Sequence, residues 1–409
     1  MVQPALSSRY RVLDVIRRRG AISRVQIARE TGLSRSAVTG LTQALLDEGW
    51  IHEQAAGDAA SPSRGRPRIN LQLNPRTGVV LGVKLALHRM SCAITDFRGE
   101  PLHAMSFPFS AEQRPDVAAD LIEMGVKRCL ADARLKPEQV IGLGVGIPGY
   151  IGHDTGVCHW SPIFDRNDVA FGSLLAERFP FPCLIENDAN MVTLAEHWFG
   201  KGRELNAFAV VTIEHGIGMG LITHDRLYRG SHGIGPEFGH AKIVHGGRLC
   251  RCGQRGCIEA YASDYAILRE VMPGFSLEAY NRSPQAYHDE IERVTRAAQA
   301  GDPALAEVFE AAGRQLGRAI GNLIATLNPP TIIVTGAGIR AGEMMLAPMR
   351  EEARALQLSG NRFDTEIIVH HWGDDVWARG AAALVLHRRY SDEEFPEPVP
   401  AAQPTAAVP

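Results

Sequence analysis

Residues 237–259 constrain this chain more than any other stretch. They read E-F-G-H-A-K-I-V-H-G-G-R-L-C-R-C-G-Q-R-G-C-I-E. Three of the seven cysteines, Cys250, Cys252 and Cys257, fall within eight residues, and His240 lies ten residues before the first of them. One imidazole and three thiols at this spacing make a tetrahedral zinc set: His240, Cys250, Cys252 and Cys257. The glycines among them let the backbone turn tightly enough for closely spaced ligands to converge on one ion. Buried thiolates need a positive partner, and Zn2+ supplies it. The competing reading is chance cysteines or a disulfide. Cys92, Cys129, Cys158 and Cys183 are scattered, as small core residues are. The bunched set suits a reducing cytoplasm better than a disulfide framework.

Carboxylates flank the zinc set. Glu237 precedes His240 by three residues and Glu259 follows Cys257 by two. A zinc-bound histidine keeps its second nitrogen for a ligand, and nearby carboxylates accept hydrogen bonds from adjacent hydroxyls. That chemistry suits a sugar. Upstream, E-N-D-A-N at 186–190 follows an apolar run. This puts Asn187 and Asp188 at the carboxyl end of a strand, where ligands bind in open α/β sheets.

E-N-D-A-N, then E-F-G-H, then C-x-C-G-x-x-G-C-x-E, in that order and at these distances, resemble the ROK family of repressors, open reading frames and sugar kinases. The resemblance spans most of the chain. It implies sugar contact by Asn187, Asp188, Glu237, His240 and Glu259, with zinc on His240, Cys250, Cys252 and Cys257. It also implies two actin-like, hexokinase-like (ribonuclease H-like) α/β lobes that close on the ligand.

The front end carries a different pattern. Residues 11–19 read as a helix stopped by Gly20, and Ser23 caps a second over 24–30. After a Thr31-Gly32-Leu33 turn, Ser34 caps a third helix to about Glu48, with Val38, Leu41, Leu45 and Leu46 inward. Helix, turn, helix is the arrangement that lays a recognition helix in the major groove of DNA. Its outward residues are Ser34, Arg35, Ser36, Thr39 and Gln43. Small side chains allow close approach, and Arg35 can reach a guanine edge or a phosphate. A strand at 51–54, a loop, and Arg64-Gly65-Arg66-Pro67-Arg68 running into a second strand read as a wing. Arg64, Arg66 and Arg68 fit a narrow minor groove. The bland alternative is a three-helix bundle with a solvated face. Charge argues against it: residues 1–70 hold eleven Arg and six acids, net +5, in a chain whose total is −3. The repressor branch of the ROK family resembles this front end, and its kinase branch lacks it.

Behind it, strand and helix patterns alternate, which favours α/β. The expected division is a winged helix-turn-helix at 1–75, a first lobe at 76–200, a second lobe with the zinc motif at 201–390, and a disordered tail at 391–409. Residues 150–172 read as irregular. Ile163 stands where relatives carry a sugar-reading Asn, and Asn167 is a substitute. No stretch is long and apolar enough to span a bilayer.

Enzyme and sensor are separated by the phosphate loops. Kinases of the family carry a D-x-G-G-T loop around ATP; here residues 82–88 read G-V-K-L-A-L-H, with Lys84 in place of the acid. Their second loop, G-T-G-I-G, is E-H-G-I-G here, with Glu214 first. A carboxylate repels a triphosphate. The two changes read as independent losses, so no catalytic residue is expected; Asp188 is the base only if the chain is a kinase. The reading is therefore a sugar-responsive regulator, a repressor of carbohydrate uptake or catabolism genes. It would act as a homodimer or homotetramer on a palindromic double-stranded operator. The alternatives are a ROK-type hexose kinase using ATP and a scaffold that binds another protein through the zinc lobe.

Overall fold

The structure, a computed structural model, describes residues 7–55, 69–86, 89–110, 114–231, 233–357, 364–373 and 376–391. Arg64, Arg66 and Arg68 of the expected wing loop lie outside the described residues, as do Leu87, His88 and the tail from 392.

Short turns join strands Val79–Leu85, Arg89–Asp96 and Pro101–Pro108, so they pair antiparallel. Longer connections, one of which carries helix Pro115–Asp132, bring Val140–Ile147 back parallel to the first strand, and Cys183–Asn187 parallel to Val140–Ile147. Across the sheet the order is third, second, first, fourth, fifth. The second lobe repeats that order with Phe208–Ile213, Ile217–Thr223, Arg226–Leu227, Thr331–Thr335 and Glu366–Val369. Two lobes with one strand order are the ribonuclease H-like plan expected above. The stretch 150–172 corrects the sequence reading. It holds a hairpin, Tyr150–Gly152 with Val157–Trp160, and helix Phe171–Ala176. Strands of three and four residues are too short to display a period of two.

At the front, helices Ser8–Arg19, Arg24–Thr31 and Arg35–Asp47 are each capped by a serine, Ser7, Ser23 and Ser34. Gly32, at φ +69°, makes the turn before the third helix. Ile69–Leu73 pairs with Ile51–Ala55 on one side and with the short strand Ile22–Ser23 on the other, giving a three-stranded winged sheet. Val38 and Leu45 are buried, whereas Leu41 and Leu46 are half-buried. Thr42 fills the remaining inward position; its hydroxyl accepts from Arg24 Nε at 3.0 Å and donates to the Thr39 carbonyl at 3.2 Å.

The winged unit is joined to the lobes through an aromatic seam. Trp50 meets Phe97 and Tyr390, and Trp198 meets Tyr390, with ring centroids 5.3–6.4 Å apart. Arg17 donates to the Trp198 carbonyl at 2.6 Å and lies over its ring. Tyr10 packs on His387, whose imidazole burial pushes down to about 3, so it stays neutral. Two helices end at this seam. Asp188–Phe199 brings Trp198, and Val376–Tyr390 brings His387 and Tyr390. They pack closely along their length, because Gly380 leaves room where a Cβ would strike the Met191 carbonyl oxygen.

Candidate effector and metal site

Asn187 ends strand Cys183–Asn187 and caps helix Asp188–Phe199. Its Oδ1 accepts from the amides of Ala189 and Asn190 at 2.9 and 3.2 Å, and its Nδ2 donates to the Gly149 carbonyl at 3.0 Å. Asp188 follows at the first helical position, where the helix dipole favours a negative charge. Burial nevertheless pushes its carboxyl up; Lys84 pulls it down and Glu214 pushes it up. Glu237 opens on the cleft, and its carboxyl is pushed up to about 7 by withheld water and by the charges of Asp188 and Glu259. Asp188, Glu237 and Glu259 are thus electrostatic neighbours, although Asp188 and Glu259 come from different lobes.

Glu259 differs from the other carboxylates. It is 1% exposed and gripped by Arg251, with Nε–Oε1 2.7 Å and NH2–Oε2 3.1 Å; the Ile217 amide donates to Oε2 at 3.3 Å. Sequence reasoning missed Arg251, which looks like one more solvated cation in a basic loop. It also missed Arg229 and Glu186. Glu186 is fully buried, accepts from Arg229 at 2.8 Å and Asn190 at 2.9 Å, and so ties the segment leading to Glu237 onto the strand that carries Asn187. Charges separated by 43 residues leave no local pattern. Ile163 is buried in the first lobe's core and Asn167 is exposed. Beside the site, Tyr150 pairs with Trp160 at 5.4 Å, and Trp160 is 41% exposed.

His240, Cys250, Cys252 and Cys257 come together: their ligand atoms all lie within 4.8 Å of one another. Cys252 and Cys257 sulfurs are 3.8 Å apart, and Cys250 Sγ is 3.7 Å from His240 Nδ1. Thiolates about 2.3 Å from one ion at tetrahedral angles stand about 3.8 Å apart, so the four could hold a metal ion of that coordination. Gly256, at φ +82°, passes so close to the Val244 carbonyl that a side chain would collide with it. Around the set, Lys242 Nζ lies 3.0 Å from Cys257 Sγ, and Tyr265 donates to Cys250 Sγ at 3.5 Å. Such partners orient ligands and stabilise thiolate charge.

The two altered phosphate-loop stretches meet each other across the cleft. Lys84 Nζ lies 3.5 Å from Glu214 and 3.2 Å from the centroid of the Trp377 ring. The two changes read as independent losses are one ion pair between the lobes. Glu214 answers Lys84 instead of facing an open phosphate pocket. Next to it, His215 Nδ1 shares a hydrogen bond with Tyr280 Oη at 3.0 Å. Gly216 lies in the tight turn between strands Phe208–Ile213 and Ile217–Thr223, with Arg251 and Glu259 against it.

On the recognition helix, Ser34, Arg35, Ser36, Thr39 and Gln43 are all exposed. Thr39 donates to the Arg35 carbonyl at 2.8 Å and Gln43 to Asp47 at 2.9 Å, so local bonds orient these side chains.

Residues 80–388 match the ROK family and residues 4–60 the MarR family. The xylose repressor of Caldicellulosiruptor bescii is 28% identical, over 94% of this chain and 96% of its own. The DNA-binding transcriptional dual regulator NagC of Escherichia coli K12 is 28% identical, over 92% and 90%. Among solved structures, a ROK family transcriptional regulator homologous to the E. coli Mlc protein superposes with a TM-score of 0.78 at 25% identity, over 94% of this chain and 96% of its own. A ROK family glucokinase from Streptomyces griseus, in complex with glucose and AMPPNP, superposes at 0.61 and 27% identity. It covers 75% of this chain and 99% of its own. Regulators match the winged unit and the lobes together, whereas the kinase match has the extent of the lobes alone. With its winged unit, its two like-ordered lobes and its His-Cys cluster, the chain belongs to the ROK family, among that family's transcriptional regulators.

Proposed function

We propose that this DNA-binding regulator is a zinc-stabilised repressor of carbohydrate uptake or catabolism genes whose effector is a sugar or a sugar derivative. One observation carries the reading: the sugar half of the cleft keeps its polar groups while Lys84 and Glu214 occupy the phosphate half. A cleft so divided can bind a polyol and lacks an open place for a triphosphate, which disfavours the kinase alternative. Asn187, Asp188, Glu237 and the free ring nitrogen of His240 contact hydroxyls. Glu259, locked by Arg251, contributes mainly by positioning. Zinc on His240, Cys250, Cys252 and Cys257 fixes the loop that carries His240.

On the DNA side, Ser34, Arg35, Ser36, Thr39 and Gln43 enter the major groove, and Arg64, Arg66 and Arg68 reach the minor groove. One small winged unit supplies limited specific affinity, so two copies read a palindromic operator. The coupling runs along the helix Asp188–Phe199. Its twelve residues span about 18 Å, from the effector carboxylate to Trp198 under Arg17. Lobe closure on the sugar shifts this strut against the winged unit. The linkage is reciprocal, so operator DNA weakens sugar binding by the same factor.

The test is calorimetric titration of zinc-loaded protein with sugars, sugar phosphates and polyols, with and without a magnesium–ATP analogue. A ligand that binds without nucleotide and lowers operator affinity supports the reading. Binding that requires nucleotide, or a bound sugar with no effect on DNA, overturns it.

A further inference from the structure

The first helix of the winged unit and the effector-side helix meet over a cavity of about 210 Å3 that is separate from the sugar cleft. A space of that size holds roughly seven waters. Its wall carries four guanidinium groups, Arg17, Arg98, Arg203 and Arg379, and, among the described residues, one carboxylate, Glu100. Local acids offset part of this charge. Asp14 pairs with Arg17 at 2.6 Å, Asp96 with Arg98 at 3.1 Å, and Glu100 with Arg379 at 3.3 Å. Arg203 donates to the carbonyls of Arg17 and Arg18, and its Nε–H has no hydrogen-bond partner among the described residues. Burial, with the charges of Arg17 and Arg18, holds its pKa below the usual arginine value against the opposing charges of Glu204 and Asp14. The wall also includes Trp198, 1% exposed, whose indole N–H likewise has no partner among the described residues.

A cavity walled by four guanidinium groups matches a tetrahedral oxyanion, which accepts several charge-assisted hydrogen bonds at once. We propose that this cavity is a second ligand site, for inorganic phosphate or a small phosphate monoester, at the joint between the DNA-binding unit and the lobes. Arg17 comes from the winged unit; Arg98, Arg203 and Arg379 come from the body. An occupant ties the two together, so its binding is linked to the orientation of the DNA-binding unit and hence to operator affinity.

The experiment is calorimetric titration of the zinc-loaded full chain, free of DNA, with inorganic phosphate and with glucose 6-phosphate. Each is run on wild type, Arg98→Gln, Arg203→Gln, Asp188→Ala and Arg35→Ala. Saturable binding of at least one probe is expected, retained in Asp188→Ala and Arg35→Ala, and weakened about tenfold or more by the wall variants. Arg203→Gln also removes bonds that hold the joint. Arg98→Gln, at a half-exposed side chain, changes the wall with little threat to folding. Equal affinity for the two probes assigns the site to free phosphate, and tighter binding of the ester assigns it to a phosphorylated metabolite. The proposal is overturned if neither probe binds saturably, or if Arg98→Gln and Arg203→Gln leave binding unchanged. It also fails if Asp188→Ala or Arg35→Ala abolishes binding, since the anion then lies in the sugar cleft or on the DNA face.

Discussion

The two halves of the interlobe cleft have diverged. On the proposed sugar side Asn187 and Asp188 stand at the head of one helix with Glu237 in electrostatic reach of Asp188, and the four candidate metal-ligand atoms lie within 4.8 Å of one another. On the phosphate side Lys84 and Glu214 meet at 3.5 Å, and Trp377 covers the lysine. The lobes share the fold of a solved ROK family glucokinase, yet in one half of the cleft an ion pair bridges the lobes. On the proposed reading, a site of this fold loses one substrate and keeps the other, because each half is built from its own loops.

The comparison is broken most strongly at the metal. Cys250→Ser should release the ion and abolish effector binding, with a stability loss of several kcal/mol, since the metal's binding free energy is then lost from folding and buried Cys257 is left without its cation. Metal analysis and calorimetric melting check this, and normal effector affinity in a metal-free variant would refute the proposed role of the ion. Next in size is Asp188→Ala. Removing an ionised acceptor costs about 1.5–3 kcal/mol, so sugar affinity should fall about 10- to 150-fold with operator affinity in the absence of sugar little changed. An unchanged sugar titration would move the effector elsewhere.

The phosphate half is probed by Lys84→Ala/Glu214→Gly. If the ion pair is what excludes a triphosphate, the double variant binds a magnesium–ATP analogue weakly while wild type does not. Silence in both would make Trp377 the obstacle. Its cost in stability should be small, about 1 kcal/mol, as for a part-exposed ion pair. The smallest effect tests whether the halves communicate. Lys84 holds the Asp188 carboxyl down and Glu214 pushes it up, against a background of burial that raises it. An ionised carboxylate accepts a hydroxyl hydrogen bond more strongly than its protonated form does. Effector affinity is therefore full above the Asp188 pKa and declines as pH falls through it. Lys84→Met should move that decline to higher pH and Glu214→Gln to lower pH. Affinity measured across pH in the three proteins decides it; identical profiles would mean the halves are electrically separate.

The sequence by itself determined what depends on neighbours along the chain. The metal set needs ligands that a few glycines can fold together, so Cys250, Cys252, Cys257 and His240 were legible as one site. Serine caps and apolar periodicity likewise marked the second and third front helices, because a helix start is decided within four residues, whereas the first was read from residue 11 and begins at Ser8 under the Ser7 cap. Short hairpins such as Tyr150–Gly152 with Val157–Trp160 were not legible, since so few residues carry no period. Only the tertiary structure decided what the charges do. Lys84 and Glu214 look like two separate defects until the lobes bring them together across 130 residues of chain. Arg251 looks solvated until Glu259 is buried against it, and Arg17 looks like a basic helix end until Trp198 lies beneath it, 181 residues away. Electrostatic pairing depends on distance through space and on withheld water, and neither leaves a periodic mark in the order of the residues.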